Sequence, residues 1–401
     1  MIGRSGNNVA ARRRLGPNVT KILYRWGFEE KLKACAVVSQ YTQFMRYMRK
    51  FLYDAAVEHG TTVRTNAQAV EVKVRRERPS VILASGEEIS ADCIVGADGA
   101  VDSLCRKVIL GGPEHEVFKN VMMFNLVIAA SSMQSDPELA KLLKGKEEGT
   151  VYVWYGDSYG VTGFMTQSQS ENEFSLHIYA PREEGDEQAK RAEGSAKLMK
   201  ALTGCEPRHV LLSVRLRIYL TSILSLRKLA ERAHTVIAVP VSGKAHMQEW
   251  THPDGPVLIV GDAAHPITAG NMYAMGLAAE DGMMLGRLFH HLHRKDQIQS
   301  FLAALSTKRM ERIAKVNQVQ RVNPLAMALP AGVEQARYLK TTVEHMDNAM
   351  AVVFLEEAIR TIFSYDPEDE ADDWWVEWGL LQDRAARTVP SSAAITVDIH
   401  T

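Results

Sequence analysis

The sequence predicts an α/β protein in which a parallel-sheet unit is interrupted by a mainly antiparallel sheet, and three observations carry this reading. Val257-Leu258-Ile259-Val260 is a short, wholly apolar run of the kind buried on both faces of a parallel sheet. It leads through Gly261-Asp262-Ala263-Ala264-His265-Pro266 into a helical pattern from about Met275 to His291. A second corner of the same kind begins at Ile94-Val95, ends in Gly96-Ala97-Asp98-Gly99 and is again followed by helical spacing. Between the two corners the character changes: Met122–Ala129, Val151–Tyr155, Val161–Thr166 and Phe174–Tyr179 are strand-like runs with few helical patterns among them.

The remaining elements follow from periodicity and breakers. Met48, Phe51, Leu52, Ala55 and Ala56 recur at helical spacing, with His59-Gly60 as the stop. Thr62–Val74 alternates and is rich in β-branched residues, and Val81–Leu83 with Cys93–Val95 reads as a hairpin arm around Ser85-Gly86 that leads to a buried strand. Arg182–Glu193 opens a charged helical segment, and Val236–His252 marks the return to the first unit. Phe301–Ile362 is helical, and Tyr365–Trp378 reads as an acidic, tryptophan-bearing tail.

Composition excludes several functions. The 401 residues carry a net charge of -1, so there is no global cationic surplus for nucleic acid or an acidic membrane. The one basic run, Arg12-Arg13-Arg14, reads as a solvated loop. Cys35, Cys93, Cys105 and Cys205 are scattered without a CxxC pair, which argues against a disulfide framework or zinc site and suits a reducing compartment. No apolar stretch reaches the roughly 18 to 20 residues of a membrane span, and the N-terminus lacks a signal-peptide core. The expected location is cytoplasmic. His290, His291 and His293 lack an acidic or cysteine partner at ligand spacing and read as a polar helix end, so no metal is expected. Ser103 and Ser242 lack a nucleophile elbow, and Trp154 and Tyr155 are compatible with either a substrate pocket or sheet packing.

The chemistry sits at the two strand ends. In an open α/β sheet, ligands bind at the carboxyl edge. Asp262 stands there as a carboxylate able to accept hydrogen bonds from sugar or polyol hydroxyls, and Ala263 and Ala264 permit close approach. The helix starting near Met275 turns its unpaired N–H groups and positive dipole end toward the same edge.

The stretch 257–289 resembles the second FAD-binding motif of group A flavoprotein monooxygenases, the salicylate- and para-hydroxybenzoate-hydroxylase-like family. Gly261–Pro266 and Glu280-Asp281 match at the family spacing, whereas Met272-Tyr273-Ala274 stands where that family has Gly-Gln-Gly. Ile94–Arg106 resembles the family's Asp-Gly motif, with one residue more between Gly99 and Ser103. Leu15–Gly27 is similar to the segment after the second strand of the FAD domain, and Arg46 stands within one position of an arginine that reaches FAD. The resemblance implies an FAD-binding Rossmann-like domain over residues 1–115 and 245–320, an inserted substrate domain over 116–244 and a helical region over 321–401. It further implies Arg46, Asp98, Gly99, Arg106, Gly261, Asp262 and Met275 as the cofactor-binding set. The implied reaction is hydroxylation or epoxidation of a small organic substrate, aromatic or from secondary metabolism, with NAD(P)H and O2 through a flavin C4a-hydroperoxide. Nothing before Gly16 supplies the family's strand and Gly-x-Gly-x-x-Gly turn, so the FAD domain reads as shortened at its front. Two readings stay open: an active monooxygenase, and a truncated or degenerate homologue that no longer binds FAD tightly.

Overall fold

The computed structural model describes residues 13–15, 17–35, 37–38, 43–45, 48–100, 102–112, 116–143, 151–167, 172–181, 223–266, 274–319, 329–338, 340, 357, 360–381 and 384. Among these, strands β7 (Ile94–Gly96) and β13 (Val257–Ile259) pair in parallel, with Val257 opposite Ile94 and Ile259 opposite Gly96. The three residues of β13 are fully buried, as a strand covered on both faces requires. Gly96 is dictated by close packing: a Cβ there would lie 2.3 Å from the Cβ of Cys105 in helix α4 (Leu104–Leu110), which crosses directly over the strand end.

The antiparallel layer matches the strand-like runs of the sequence. Its five strands are β8 (Glu116–Ala129), β9 (Val151–Tyr155), β10 (Gly160–Gln167), β11 (Asn172–Pro181) and β12 (Thr235–Lys244), in the order β12-β8-β11-β10-β9. Period-2 alternation explains its inner face. Met122, Phe124, Leu126 and Ile128 of β8 lie beside Phe174, Leu176 and Ile178 of β11, packed under Met133, Leu139, Leu142 and Leu229 of three short helices. Trp154 belongs to this core, so packing accounts for it. The 182–193 segment lies outside the described residues.

Two expectations need correction. The hairpin partner of β5 (Ser80–Leu83) is β6 (Glu88–Ser90), not Cys93–Val95, which passes on to the parallel pair. Gly86, at φ +88°, makes the tight turn that fixes this register. The segment from Tyr365 is no free tail either. Helix α10 (Pro367–Trp374) starts with Pro367 at its first position and Asp366 as N-cap, and it docks on α8 (Ala274–His290) and α9 (Ile298–Val319). Arg287 forks onto Asp372 with two bonds of 2.7 Å, and His291 joins the same carboxylate at 2.8 Å while stacking on Trp375 at 5.0 Å and 8°. The histidine cluster thus serves helix docking, and the described residues contain no group of three potential metal ligands. No described helix is long and apolar enough to cross a membrane.

The docking of α10 is testable. Trp374 is 8% exposed and meets Phe301 of α9 edge-on at 5.2 Å. Truncation of a buried tryptophan removes both transfer and packing free energy, so Trp374→Ala is expected to cost about 3–5 kcal/mol in urea unfolding. A loss below about 1 kcal/mol, the range of a surface change, would show that this contact does not hold the C-terminal helix.

Candidate functional site

Both parallel strands end at one edge, and the loops that leave them lie side by side, joined by the Val260 N–H donating to Gly96 O at 3.0 Å. The first loop turns at Gly99, φ +83°. Asp98 orders it by accepting from Ser103 Oγ at 2.7 Å and from the Leu104 N–H at 2.7 Å, while Ser103 Oγ accepts from the Arg106 N–H at 3.0 Å. These bonds satisfy the orphan donors of α4, so the Asp98 carboxylate is engaged with its own helix.

The second loop is a single 3-10 turn, Gly261–Ala263, with Gly261 at φ +60°. Asp262 is exposed on its outer side, whereas Ala263, Ala264 and His265 are buried. A fully buried carboxylate, Asp281 on α8, fixes this turn from below. Its Oδ2 accepts from the Gly261 N–H at 2.8 Å and from His265 Nε2 at 2.7 Å, and its Oδ1 accepts from Arg309 Nε at 2.7 Å. Burial by itself would push the Asp281 carboxyl up; His265, Arg309 and the Gly261 N–H outweigh it and hold the group below the usual carboxylate range. Trp250 stacks on the His265 ring at 5.1 Å and 30°.

Glu280, the neighbour of Asp281, is equally buried and extends the network. It accepts from Asn18 Nδ2 at 2.9 Å, pairs with Arg309 Nη2 at 2.9 Å and takes Arg312 Nε at 3.2 Å. Arg312 also donates to the Ile362 carbonyl at 2.7 Å. Two carboxylates and two guanidiniums thus form a charge-balanced cluster joining α1 (Pro17–Arg25), α8, α9 and the 361–362 backbone.

The structure distributes the sequence-predicted set unevenly. Asp98, Gly99, Gly261 and Asp262 share the carboxyl edge. Arg106, expected as a pyrophosphate-side group, is 1% exposed: its Nη1 donates to Ala263 O at 2.7 Å and its Nη2 to Ala245 O at 2.5 Å. Its guanidinium therefore clamps the Asp262 loop from inside, because α4 points the side chain into the core. Met275 packs with Val19, Leu23, Phe28 and Leu32, which fixes the first turn of α8 against α1 and α2 (Glu29–Cys35). Arg46, Met272 and Tyr273 lie outside the described residues. Cys105 is inert, its thiol pushed up to about 12 by burial.

Sequence reasoning noted Glu280-Asp281 only as a spacing match and missed their partners. The signal was present: Arg309 and Arg312 stand three apart on one face of an otherwise apolar helix pattern, so two guanidiniums point toward the core where only carboxylates can compensate them.

Comparison with known proteins agrees with this geometry. Residues 17–210 match the family described as FAD binding domain. The chain is 25% identical over 356 residues to the FAD-dependent monooxygenase OpS4 of Beauveria bassiana, covering 79% of this chain and 77% of that one. It is 23% identical over 341 residues to the 6-hydroxynicotinate 3-monooxygenase of Bordetella bronchiseptica, covering 77% and 80%. Among solved structures, CtdE in complex with FAD and a substrate superposes with a TM-score of 0.70 at 15% identity, over 94% of this chain and 92% of CtdE. A salicylate hydroxylase substrate complex gives 0.65 at 14% identity, over 90% of each chain. The structural likenesses fix the fold, and the match over residues 17–210 with the sequence relatives, FAD-dependent monooxygenases among them, supports a group A flavoprotein monooxygenase.

Proposed function

We propose that this enzyme hydroxylates or epoxidises a small organic substrate, aromatic or of secondary-metabolite type, using NAD(P)H as reductant and O2 as oxidant. The observation that carries the reading is Asp262, an exposed carboxylate at the carboxyl edge of the parallel strands on a turn locked by a buried one. The residues present fit the ribityl and ring end of FAD. Gly99 has open space where a Cβ would stand, Gly261 holds a left-handed turn, and Ala263 and Ala264 are small. When bound, FAD supplies the redox chemistry and activates oxygen. Asp262 accepts hydrogen bonds from its ribityl hydroxyls, and the first turn of α8 offers unpaired N–H groups to negative charge on the ring. Asp98 and Gly99 shape the neighbouring backbone; Arg106 and Met275 hold the two loops and the start of α8 in place. The names of the relatives, a 6-hydroxynicotinate monooxygenase and a salicylate hydroxylase among them, support a small ring-bearing substrate.

Titrating FAD into the wild type and Asp262→Ala tests the central contact. Loss of a charged acceptor should weaken binding by roughly tenfold to a hundredfold, about 1.5–3 kcal/mol; equal dissociation constants would remove Asp262 from the site. Protein that purifies without flavin colour and takes up no added FAD would favour the degenerate homologue instead.

Asp281→Asn probes the support beneath it. Breaking a buried ion cluster costs about 3–5 kcal/mol, so this variant should melt well below the wild type at neutral pH and bind FAD more weakly. The sign with pH follows from the depressed carboxyl. The folded state binds its proton less readily than the unfolded chain, so Asp281 contributes fully above the ordinary carboxylate range and loses its contribution as pH falls through its own lower value. The gap in melting temperature between wild type and variant should therefore narrow in acid; a gap that widens as pH falls would contradict this assignment.

A further inference from the structure

Outside the carboxyl edge, a cleft of about 310 Å³ opens between the outer face of α9 and the 360–365 segment. Its cations are unevenly committed. Lys308 is paired with Glu370 at 3.0 Å, and Arg312 is spent on Glu280 and backbone carbonyls. Lys315 and Arg360 are exposed and make no side-chain ion pair or hydrogen bond among the described residues, and the Glu311 carboxylate, whose charge acts on Lys308, stands with them. The cleft also holds a donor without an acceptor. The Tyr365 hydroxyl is buried beside the Arg309 guanidinium with no acceptor for its own proton, and its ring is pinned by the Arg312 guanidinium 4.3 Å from the centroid. A buried hydroxyl proton left without an acceptor costs about 1–3 kcal/mol, and Lys315 and Arg360, lining the same cleft, supply charge that an oxygen anion would neutralise.

We propose that this cleft is a binding site for a small oxyanion, a phosphate or carboxylate group, held by Lys315 and Arg360 with the Tyr365 hydroxyl donating to it. The occupant bridges α9 to the 360–365 segment, whose Ile362 carbonyl already receives Arg312. It therefore tightens the docking of the C-terminal region rather than taking part in oxygen transfer. The site does not depend on the substrate assignment above, since none of these residues belongs to the Asp262 edge.

Calorimetric titration of inorganic phosphate into the purified protein, at ionic strength held constant with chloride, tests the proposal, with acetate as a parallel arm. The expected result is one saturable site and a melting temperature that rises with the anion. Lys315→Gln with Arg360→Gln should weaken that binding about tenfold or more, while leaving the melting temperature in chloride unchanged because both residues are exposed. Tyr365→Phe, which keeps the ring on Arg312, should weaken it by a smaller factor. Binding of phosphate alone assigns a phosphate group, and binding of acetate assigns a carboxylate. Absence of a saturable site for both anions, or binding unchanged in the double variant, overturns the proposal.

Discussion

The carboxylate of Asp281 is the point on which the rest of this structure hangs. An ion buried at 0% exposure loses its hydration, a penalty of several kcal/mol that only close, well-aligned donors offset. Here three donors at 2.7–2.8 Å do so: a backbone N–H from the Asp262 loop, a histidine from the same loop and an arginine from α9. None of the three can leave without stranding the charge. Three successive segments, the 261–265 turn, α8 and α9, are therefore held in one arrangement, and the loop that presents Asp262 inherits its rigidity from below.

Glu280 carries the constraint outward. Its bond to Asn18 fixes α1 on α8, and the approach is tight: a Cβ on Gly276 would lie 2.3 Å from Asn18 Nδ2. Through Arg312 it reaches the 361–362 backbone, just ahead of the Asp366 cap and α10. Arg106 acts on the same turn from another side by holding the Ala263 carbonyl. A loop at the carboxyl edge whose own side chains are few and small is thus fixed by buried polar groups beneath it, the arrangement that lets an exposed acid keep one orientation. The inner face of the antiparallel sheet is held instead by apolar alternation under three helices.

Where the sequence reading departed from the structure, a nonlocal contact decided the outcome. Cys93–Val95 has the β-branched look of a hairpin strand, but Ile94–Gly96 pairs in parallel with Val257–Ile259, some 160 residues on, and Val95 itself stays exposed. The acidic stretch after Tyr365 has too many carboxylates to suggest a core, yet Trp374 and Trp375 are buried while Asp366 and Asp372 find Arg25 and Arg287 across the helix face. Arg106 has the position of a ligand-side group on a linear motif, and the rotation of α4 turns it inward.

The sequence by itself determined the α/β class, four of the five strands of the antiparallel sheet, the flavoprotein resemblance, and the placement of Asp98, Gly99, Gly261 and Asp262 at strand ends. All of these rest on local signals: apolar runs, glycines at turns, period-2 and helical spacing. Tertiary structure alone decided that Glu280 and Asp281 face Arg309 and Arg312, that His265 bonds to Asp281, and that Met275 serves the packing of α1. The physical reason is that a buried charge reveals only that it needs a partner. Which partner it finds depends on how neighbouring helices rotate and pack, and no periodicity along the chain records that rotation.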